Sequence, residues 1–330
     1  MNSKKIYIDP RWVKAGGIGT FYENINKINN YNHINIHGMP YNPIDCYYSS
    51  KAASQINDAI IYFPGYIPPL YSKNVFVFTI HDLNHLDREE NSSFTKKIFY
   101  NTVIKNGCRK ASYIFTVSDF SRRRIIEWSG VDEGKVINVG NGVSEDFSQN
   151  GERLILGYDY ILCVSNRKGH KNELGTLMSF YRADIDPKIK LVFTGYPNAL
   201  LQSKIDELQI NQRVIFTGYL AESDLPKLYR SAIALVFVSF YEGFGLPIIE
   251  AQASGIPVIT SYGTSLEEVS GKAAYLVEPT NIDDISTGIA EVCNNHQLRA
   301  TLITDGLNNS KRYNWKYTAK LVDEYLNRLK

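Results

Sequence analysis

Cysteine is scarce in this chain: Cys46, Cys108, Cys163 and Cys293 are the only four among 330 residues, and none forms a CxxC pair. That spacing argues against a disulfide framework or a thiolate metal site and fits a reducing cytoplasm. Long apolar runs are missing too, so no segment approaches the length needed to cross a bilayer, and the opening Met1-Asn2-Ser3-Lys4-Lys5 leads straight into a strand. An excess of charge is also absent. With 36 basic and 34 acidic side chains the formal balance is +2, so nothing global calls for nucleic acid or a membrane as partner. There is no internal repeat, no low-complexity segment and no carboxylate cluster with metal-ligand spacing, so no cofactor and no obligatory metal is expected.

What is present is alternation. Residues 5–9, 59–63, 75–80, 113–117 and 135–139 read as strands, separated by segments of helical spacing. A polar stretch over 144–157 reads as an interdomain linker. Strands then resume at 160–164, 190–194, 214–217, 232–240 and 258–259, and the chain from Ile282 onward reads as helix in three pieces. The length suits two domains, each able to bury its own core, and the alternation predicts an α/β fold with a mainly parallel sheet in each.

One stretch carries more chemistry than the rest: Tyr241-Glu242-Gly243-Phe244-Gly245-Leu246-Pro247-Ile248-Ile249-Glu250-Ala251. It follows the apolar strand 232–240 and precedes a helical segment ending at Ser254-Gly255, giving strand, glycine loop, helix. Pro247 suits the first helical turn, so the amides of Phe244, Gly245 and Leu246 are left without helical partners and form an anion site. Gly243 and Gly245 remove side-chain bulk, so a phosphate can reach the backbone and the positive end of the helix dipole, typically worth ~0.3–1 kcal/mol. Glu242 in the loop and Glu250 inside the helix flank this cradle. A bare phosphate would avoid two carboxylates, whereas a phosphate ester of a sugar and a ribose offers them hydroxyls.

Glu242 and Glu250 lie within Glu-Gly-Phe-Gly-Leu-Pro-x-x-Glu-Ala, followed by Gly255-Ile256-Pro257-Val258. This pattern resembles the signature of the retaining glycosyltransferases of family four, which have the GT-B fold. The resemblance implies two Rossmann-like domains facing an interdomain cleft: 1–150 for the acceptor, 151–312 for the nucleotide sugar, and 313–330 as a helix crossing back at Arg312-Tyr313-Asn314-Trp315. It further implies that Glu250 holds the ribose hydroxyls, Glu242 a donor-sugar hydroxyl, and the amides of Phe244, Gly245 and Leu246 the diphosphate. Arg167 and Lys171, in the loop Ser165-Asn166-Arg167-Lys168-Gly169-His170-Lys171-Asn172, match the pair that neutralises the departing diphosphate. The spacing there is compact, and His170-Lys171-Asn172 stands where many members have Arg-Lys-Asn. Asn166 joins the donor-binding set, and Tyr219, after Gly218, matches a backbone contact to the base.

The first half adds two positions. Ala15-Gly16-Gly17-Ile18-Gly19-Thr20 lacks the GxGxxG fingerprint of dinucleotide sites, but Gly17 matches the family's Gly-Gly turn against the donor phosphates and acceptor. His81 opens His81-Asp82-Leu83 at the carboxyl end of a strand, where open parallel sheets bind ligands. Many mannosyltransferases of the family carry this His-Asp with the histidine beside the donor sugar, whereas His33, His37, His85, His170 and His296 read as structural.

The implied activity is transfer of a hexose from a nucleotide sugar, GDP-mannose in preference to a UDP-sugar, onto a glycan or lipid-linked glycan. The implied setting is synthesis of a surface polysaccharide such as O-antigen, in the cytoplasm at the inner face of the membrane. A nucleotide-sugar epimerase, a sugar phosphorylase and a degenerate sugar-nucleotide-binding partner protein share the fold. Residues 94–111 mix Lys96, Lys97, Lys105, Arg109 and Lys110 with Phe94, Ile98, Phe99, Val103 and Ile104, a helical face able to rest on anionic lipid or to pack on its own domain. Thr264-Ser265-Leu266-Glu267-Glu268-Val269 resembles a family Ser-Leu-Pro-Glu-Val segment with Glu267 in place of proline, and carries no expected chemistry. Arg122, Arg123 and Arg124 are expected to face water.

Overall fold

The apolar runs form strands buried on both faces. In the computed structural model, which describes residues 4–330, all five residues of Ala59–Phe63 are buried, as a central parallel strand covered by helices requires. Two units are built this way. The first comprises the described residues through Gly142 together with Asn314–Lys330, and the second is Val143–Tyr313.

The first unit contains β1 (Lys5–Ile8), β2 (Asn32–His33), β3 (Ala59–Phe63), β4 (Val75–Thr79), β5 (Tyr113–Thr116) and β6 (Val136–Asn138). They form one sheet in the order β2-β1-β3-β4-β5-β6. Every pairing is parallel, with Ile6 opposite Ile60 and Val77 opposite Tyr113. All strands therefore end at the same edge, and the loops of that edge are where such sheets bind ligands. Ile61, Phe78, Ile104 and Ile114 are fully buried in the core.

The helical reading of 94–111 holds with one irregularity, a π turn at Tyr100–Ile104 between the helices Phe94–Phe99 and Lys105–Lys110. Tyr100, Ile104 and Cys108 face the core, while Phe94 and Ile98 are exposed. Ser118 caps the helix Asp119–Ser129, its hydroxyl accepting from the Ser121 amide at 3.1 Å. Of the arginines on that helix only Arg123 is exposed. Arg122 donates to the Val136 and Glu133 carbonyls, and Arg124 grips Asp87 through two nitrogens. Expecting all three in water overlooked that long cationic side chains cover backbone carbonyls at an element's end.

The last helix, Trp315–Asn327, returns to the first unit. Trp315, Ala319, Val322 and Leu326 recur at helical spacing on its buried face. Asn29 donates to the Ala319 carbonyl at 2.9 Å and the Tyr31 hydroxyl to Asp323 at 3.0 Å.

The second unit contains β7 (Tyr160–Cys163), β8 (Lys190–Phe193), β9 (Val214–Phe216), β10 (Ala234–Phe237), β11 (Val258–Ser261) and β12 (Tyr275–Val277). These form a second parallel sheet in the order β12-β11-β10-β7-β8-β9. Its core gathers Ile161, Leu177, Leu191, Val236, Ile259 and Ile289. The stretch expected to be a linker is fastened to this unit. Arg230, 6% exposed, donates to the carbonyls of Asp146, Ser148 and Glu152 at 3.0, 3.3 and 2.8 Å. The boundary consequently lies after Gly142 and not after 150.

Candidate active site

In the second unit the carboxyl edge of the sheet gathers the loops that carry the expected site residues. β10 ends at Phe237, and the chain passes through Glu242 to the helix Leu246–Ala253. Gly245 has φ 102°, and a Cβ on it would lie 2.5 Å from Leu266 Cδ2, so only glycine fits the turn. Pro247 sits in the first turn. Among the described residues the amides of Phe244, Gly245 and Leu246 donate to no protein acceptor, leaving the helix start open to an anion. Ser265, fully buried, steadies the loop by donating to the Glu242 carbonyl at 2.7 Å. The segment around it, given no chemistry from sequence, thus supports the cradle.

Lys171 reaches the same loop. It closes the short turn Gly169–Lys171 after β7, and its Nζ lies 2.7 Å from Glu242 Oε1 and 5.1 Å from the Phe237 ring centroid. Both partners are mostly covered, at 16% and 13% exposure. Asn172 fixes the turn: it takes a left-handed φ of 53° and donates to the Val238 and Pro279 carbonyls at 3.1 and 2.7 Å. Gly175 makes room for it, because a Cβ there would meet Asn172 Oδ1 at 2.2 Å.

Glu250 lies one helical turn beyond the cradle. Its Oε2 accepts a hydrogen bond from the Tyr229 hydroxyl at 2.8 Å. Burial pushes its carboxyl up to about 7, opposed by that hydrogen bond. Tyr229, on the helix Leu225–Ser231 and fully buried, has no marker in the sequence that separates it from a core tyrosine.

Arg167 is held by partners of its own. Its Nε donates to the Tyr196 carbonyl at 2.6 Å, and its terminal nitrogens bond the Thr194 carbonyl and the Glu173 carboxylate. The guanidinium also covers the Phe193 and Phe216 rings at 5.6 and 5.3 Å. It is a clamp between the loops after β7 and β8, its hydrogen bonds going to Tyr196, Thr194 and Glu173. Asn166 is exposed beside it. Tyr219 is 85% exposed after Gly218, whose φ is 64°.

In the first unit, His81 follows β4 at the carboxyl edge. Its Nε2 is 2.9 Å from the Pro64 carbonyl, which can only accept, so Nε2 bears the hydrogen and Nδ1 is left as an acceptor. Phe21 stands edge-on to the ring, with centroids 5.1 Å apart. Burial pushes the imidazole down to about 4, partly opposed by the Pro64 carbonyl, so it is neutral at physiological pH. Gly17 is the second residue of the helix Gly16–Asn29, and a Cβ on it would meet nothing within 4 Å.

Sequence reasoning missed Arg11 in the loop after β1. It binds Asp9 through Nε and a terminal nitrogen at 2.8 and 2.7 Å, and Asp45 through both terminal nitrogens at 2.6 and 2.8 Å. Both aspartates are 2% exposed. This pairing locks the loops after β1 and β2 at the ligand edge, and the sequence gap between Arg11 and Asp45 conceals it. Among the described residues no group of three or more His, Cys, Asp or Glu side chains could hold a metal ion.

Residues 145–308 match the family described as glycosyl transferases group 1. The chain is 27% identical over 289 residues to O-antigen chain mannosyltransferase B of Escherichia coli, covering 83% of this chain and 76% of that protein. It is 29% identical over 264 residues to O-antigen chain mannosyltransferase RfbU of Salmonella typhimurium, covering 79% and 70%. Its fold is similar to that of Anabaena HepE solved in complex with UDP-glucose, with a TM-score of 0.78 at 17% identity over 98% of this chain and 99% of that one.

Proposed function

We propose that this chain, a GT-B glycosyltransferase whose second unit carries the glycosyl transferases group 1 domain, is a retaining mannosyltransferase. It would move mannose from GDP-mannose to a glycan or lipid-linked glycan of a surface polysaccharide such as O-antigen. The observation that carries the reading is the meeting of Lys171 and Glu242, 2.7 Å apart, at the loop that leads into the open helix start. The names of the two O-antigen mannosyltransferases to which the chain is similar support the sugar and the product class.

In this reading the second unit holds the donor and the first receives the acceptor. Glu250 accepts from the ribose hydroxyls, and the amides of Phe244, Gly245 and Leu246 face the diphosphate. Lys171 moves from Glu242 onto the diphosphate when the donor binds, which frees the Glu242 carboxylate for a hydroxyl of the sugar. His81, neutral and with Nδ1 as acceptor, takes a further sugar hydroxyl. Gly17 leaves the space against the phosphates, and Tyr219 offers its backbone to the base. Arg167 acts at one remove, holding the loop that carries Asn166.

The acceptor oxygen forms the new bond to the anomeric carbon while the bond from that carbon to the diphosphate breaks, its electron pair leaving with the diphosphate. The acceptor proton passes to a diphosphate oxygen on the same face, so the configuration is retained. Charge grows on the leaving group through an oxocarbenium-like state, and Lys171 with the three amides is arranged to stabilise it.

The reading puts the reaction on the cytoplasmic side of the membrane, with the basic face around Lys96 and Lys97 touching its inner surface. Among the described residues no helix is long and apolar enough to cross a membrane.

The test is transfer of labelled mannose to a mannose-terminated acceptor, with the anomeric configuration of the product read by NMR. Lys171→Ala is expected to lower turnover by about 10²–10³ with the fold intact, and near-full activity would remove Lys171 from the leaving-group role. Conversion of the nucleotide sugar without acceptor would point instead to an epimerase.

A further inference from the structure

The function just proposed uses Glu250 but leaves unexplained why its carboxylate is oriented by a buried phenol. Tyr229 is fully buried on the helix Leu225–Ser231, and its ring stands edge-on to Phe147 with centroids 5.5 Å apart. The backbone around it is held as well, because the Tyr160 hydroxyl donates to the neighbouring Leu228 carbonyl at 2.6 Å. From this fixed base the Tyr229 hydroxyl donates to Glu250 Oε2 at 2.8 Å. Among the described residues no donor is bonded to Oε1.

We propose that Tyr229 is a positioning residue of the donor site: by holding Oε2 it fixes the plane of the Glu250 carboxylate and presents Oε1 to the vicinal hydroxyls of the donor's ribose. This rests on the reading of Glu250 as the ribose ligand. The phenol cannot itself compete as a base, since burial and the adjacent carboxylate hold it well above its ordinary range in the protonated, donating form.

The arrangement has a second consequence. A carboxylate covered this deeply would favour its protonated form, which accepts hydrogen bonds poorly, and a donor aimed at the ionised form counteracts this. Burial raises the Glu250 carboxyl and the Tyr229 bond lowers it again. Among the described residues the ionisable groups that bear on the pair are each other and the Cys163 thiol at the end of β7. The hydroxyl of Tyr229 therefore sets both where the carboxylate points and the pH at which it becomes a good acceptor.

Calorimetric binding of GDP and of 2′,3′-dideoxy-GDP, measured at pH 6.5 and pH 8.5, tests this. Wild type is expected to prefer GDP at both, and Glu250→Ala to lose the preference. Tyr229→Phe keeps the buried ring and removes only the donor. It should weaken the preference about tenfold at pH 6.5, in line with loss of one hydrogen bond to a charged group, and recover most of it at pH 8.5. Phe147→Leu disturbs the ring packing without touching the hydroxyl and should leave the pH dependence unmoved, with melting curves confirming that each variant is folded. A Tyr229→Phe protein that matches wild type at both pH values overturns the proposal and leaves the ribose reading standing. Equal weakening at both pH values also overturns it, as the mark of a merely structural tyrosine. Equal affinity of wild type for the two nucleotides overturns the proposal together with the ribose reading.

Discussion

The Glu250 carboxyl titrates near 7 because burial disfavours its charged form, and the same burial sets a cost on the empty protein. A carboxyl raised in the folded state contributes stability that is fully present below its ordinary value near 4.5 and is lost as pH rises through about 7. Glu250→Gln cannot ionise and escapes that loss. Its melting temperature should match wild type near pH 4.5 and exceed it above pH 7, by a margin equivalent to on the order of 3 kcal/mol, while nucleotide binding falls. Melting curves across pH 4.5–8.5 check this, and a constant difference at all pH values would contradict the assignment. Glu242, Lys171 and Glu250 were singled out in sequence by their resemblance to a family motif, and the structure places Lys171 and Glu242 2.7 Å apart. The pairings of Tyr229 with Glu250 and Arg11 with Asp45 were not legible, since these partners lie 21 and 34 residues apart and nothing local distinguishes a phenol or guanidinium that will meet a distant carboxylate. Arg167 lies in the same loop as Lys171, and its hydrogen bonds to Glu173 and two carbonyls were not legible either.

Among elements, the long buried strands were read from their apolar runs, and Ala59–Phe63 falls on the expected residues. The edge strands Asn32–His33 and Tyr275–Val277 were not read, because two or three residues are too few to carry a period. The glycine loop was legible through Pro247 and its two glycines. What could not be read was that Gly245 also faces Leu266, a contact made by a helix that arrives later in the chain. The helical span from Phe94 to Lys110 was legible as amphipathic, although its π turn was not. Lys96 and Lys97 are exposed beside Phe94 at 79% and Ile98 at 47%, which is the composition of a surface that adsorbs to anionic lipid. Vesicles containing anionic lipid should therefore co-sediment the protein, and Lys96→Glu with Lys97→Glu should reduce the bound fraction several-fold, each basic residue being worth about 1 kcal/mol at such a surface. Equal sedimentation with neutral vesicles, or no effect of the two changes, would leave this face to ordinary solvation.

At the scale of the whole chain, the alternation of strands and helices was enough to give two parallel sheets, while the expectation of a closing helix at Arg312-Tyr313-Asn314-Trp315 rests on the family resemblance; in the structure Asn314–Lys330 groups with the first unit. The boundary is not legible in the same way, because the polar stretch that reads as a linker is bound through its carbonyls to Arg230 of the second unit. Polarity marks exposure of side chains and says nothing of where the backbone is bonded. The central claim for the molecule is that its second unit is a nucleotide-sugar site built on the glycine loop and Glu250. Calorimetry of the purified protein with GDP, UDP, ADP and dTDP, beside Glu250→Ala, tests it most directly. GDP alone should bind, and the variant should lose it. Binding of none of the four, or equal binding by Glu250→Ala, would contradict the account.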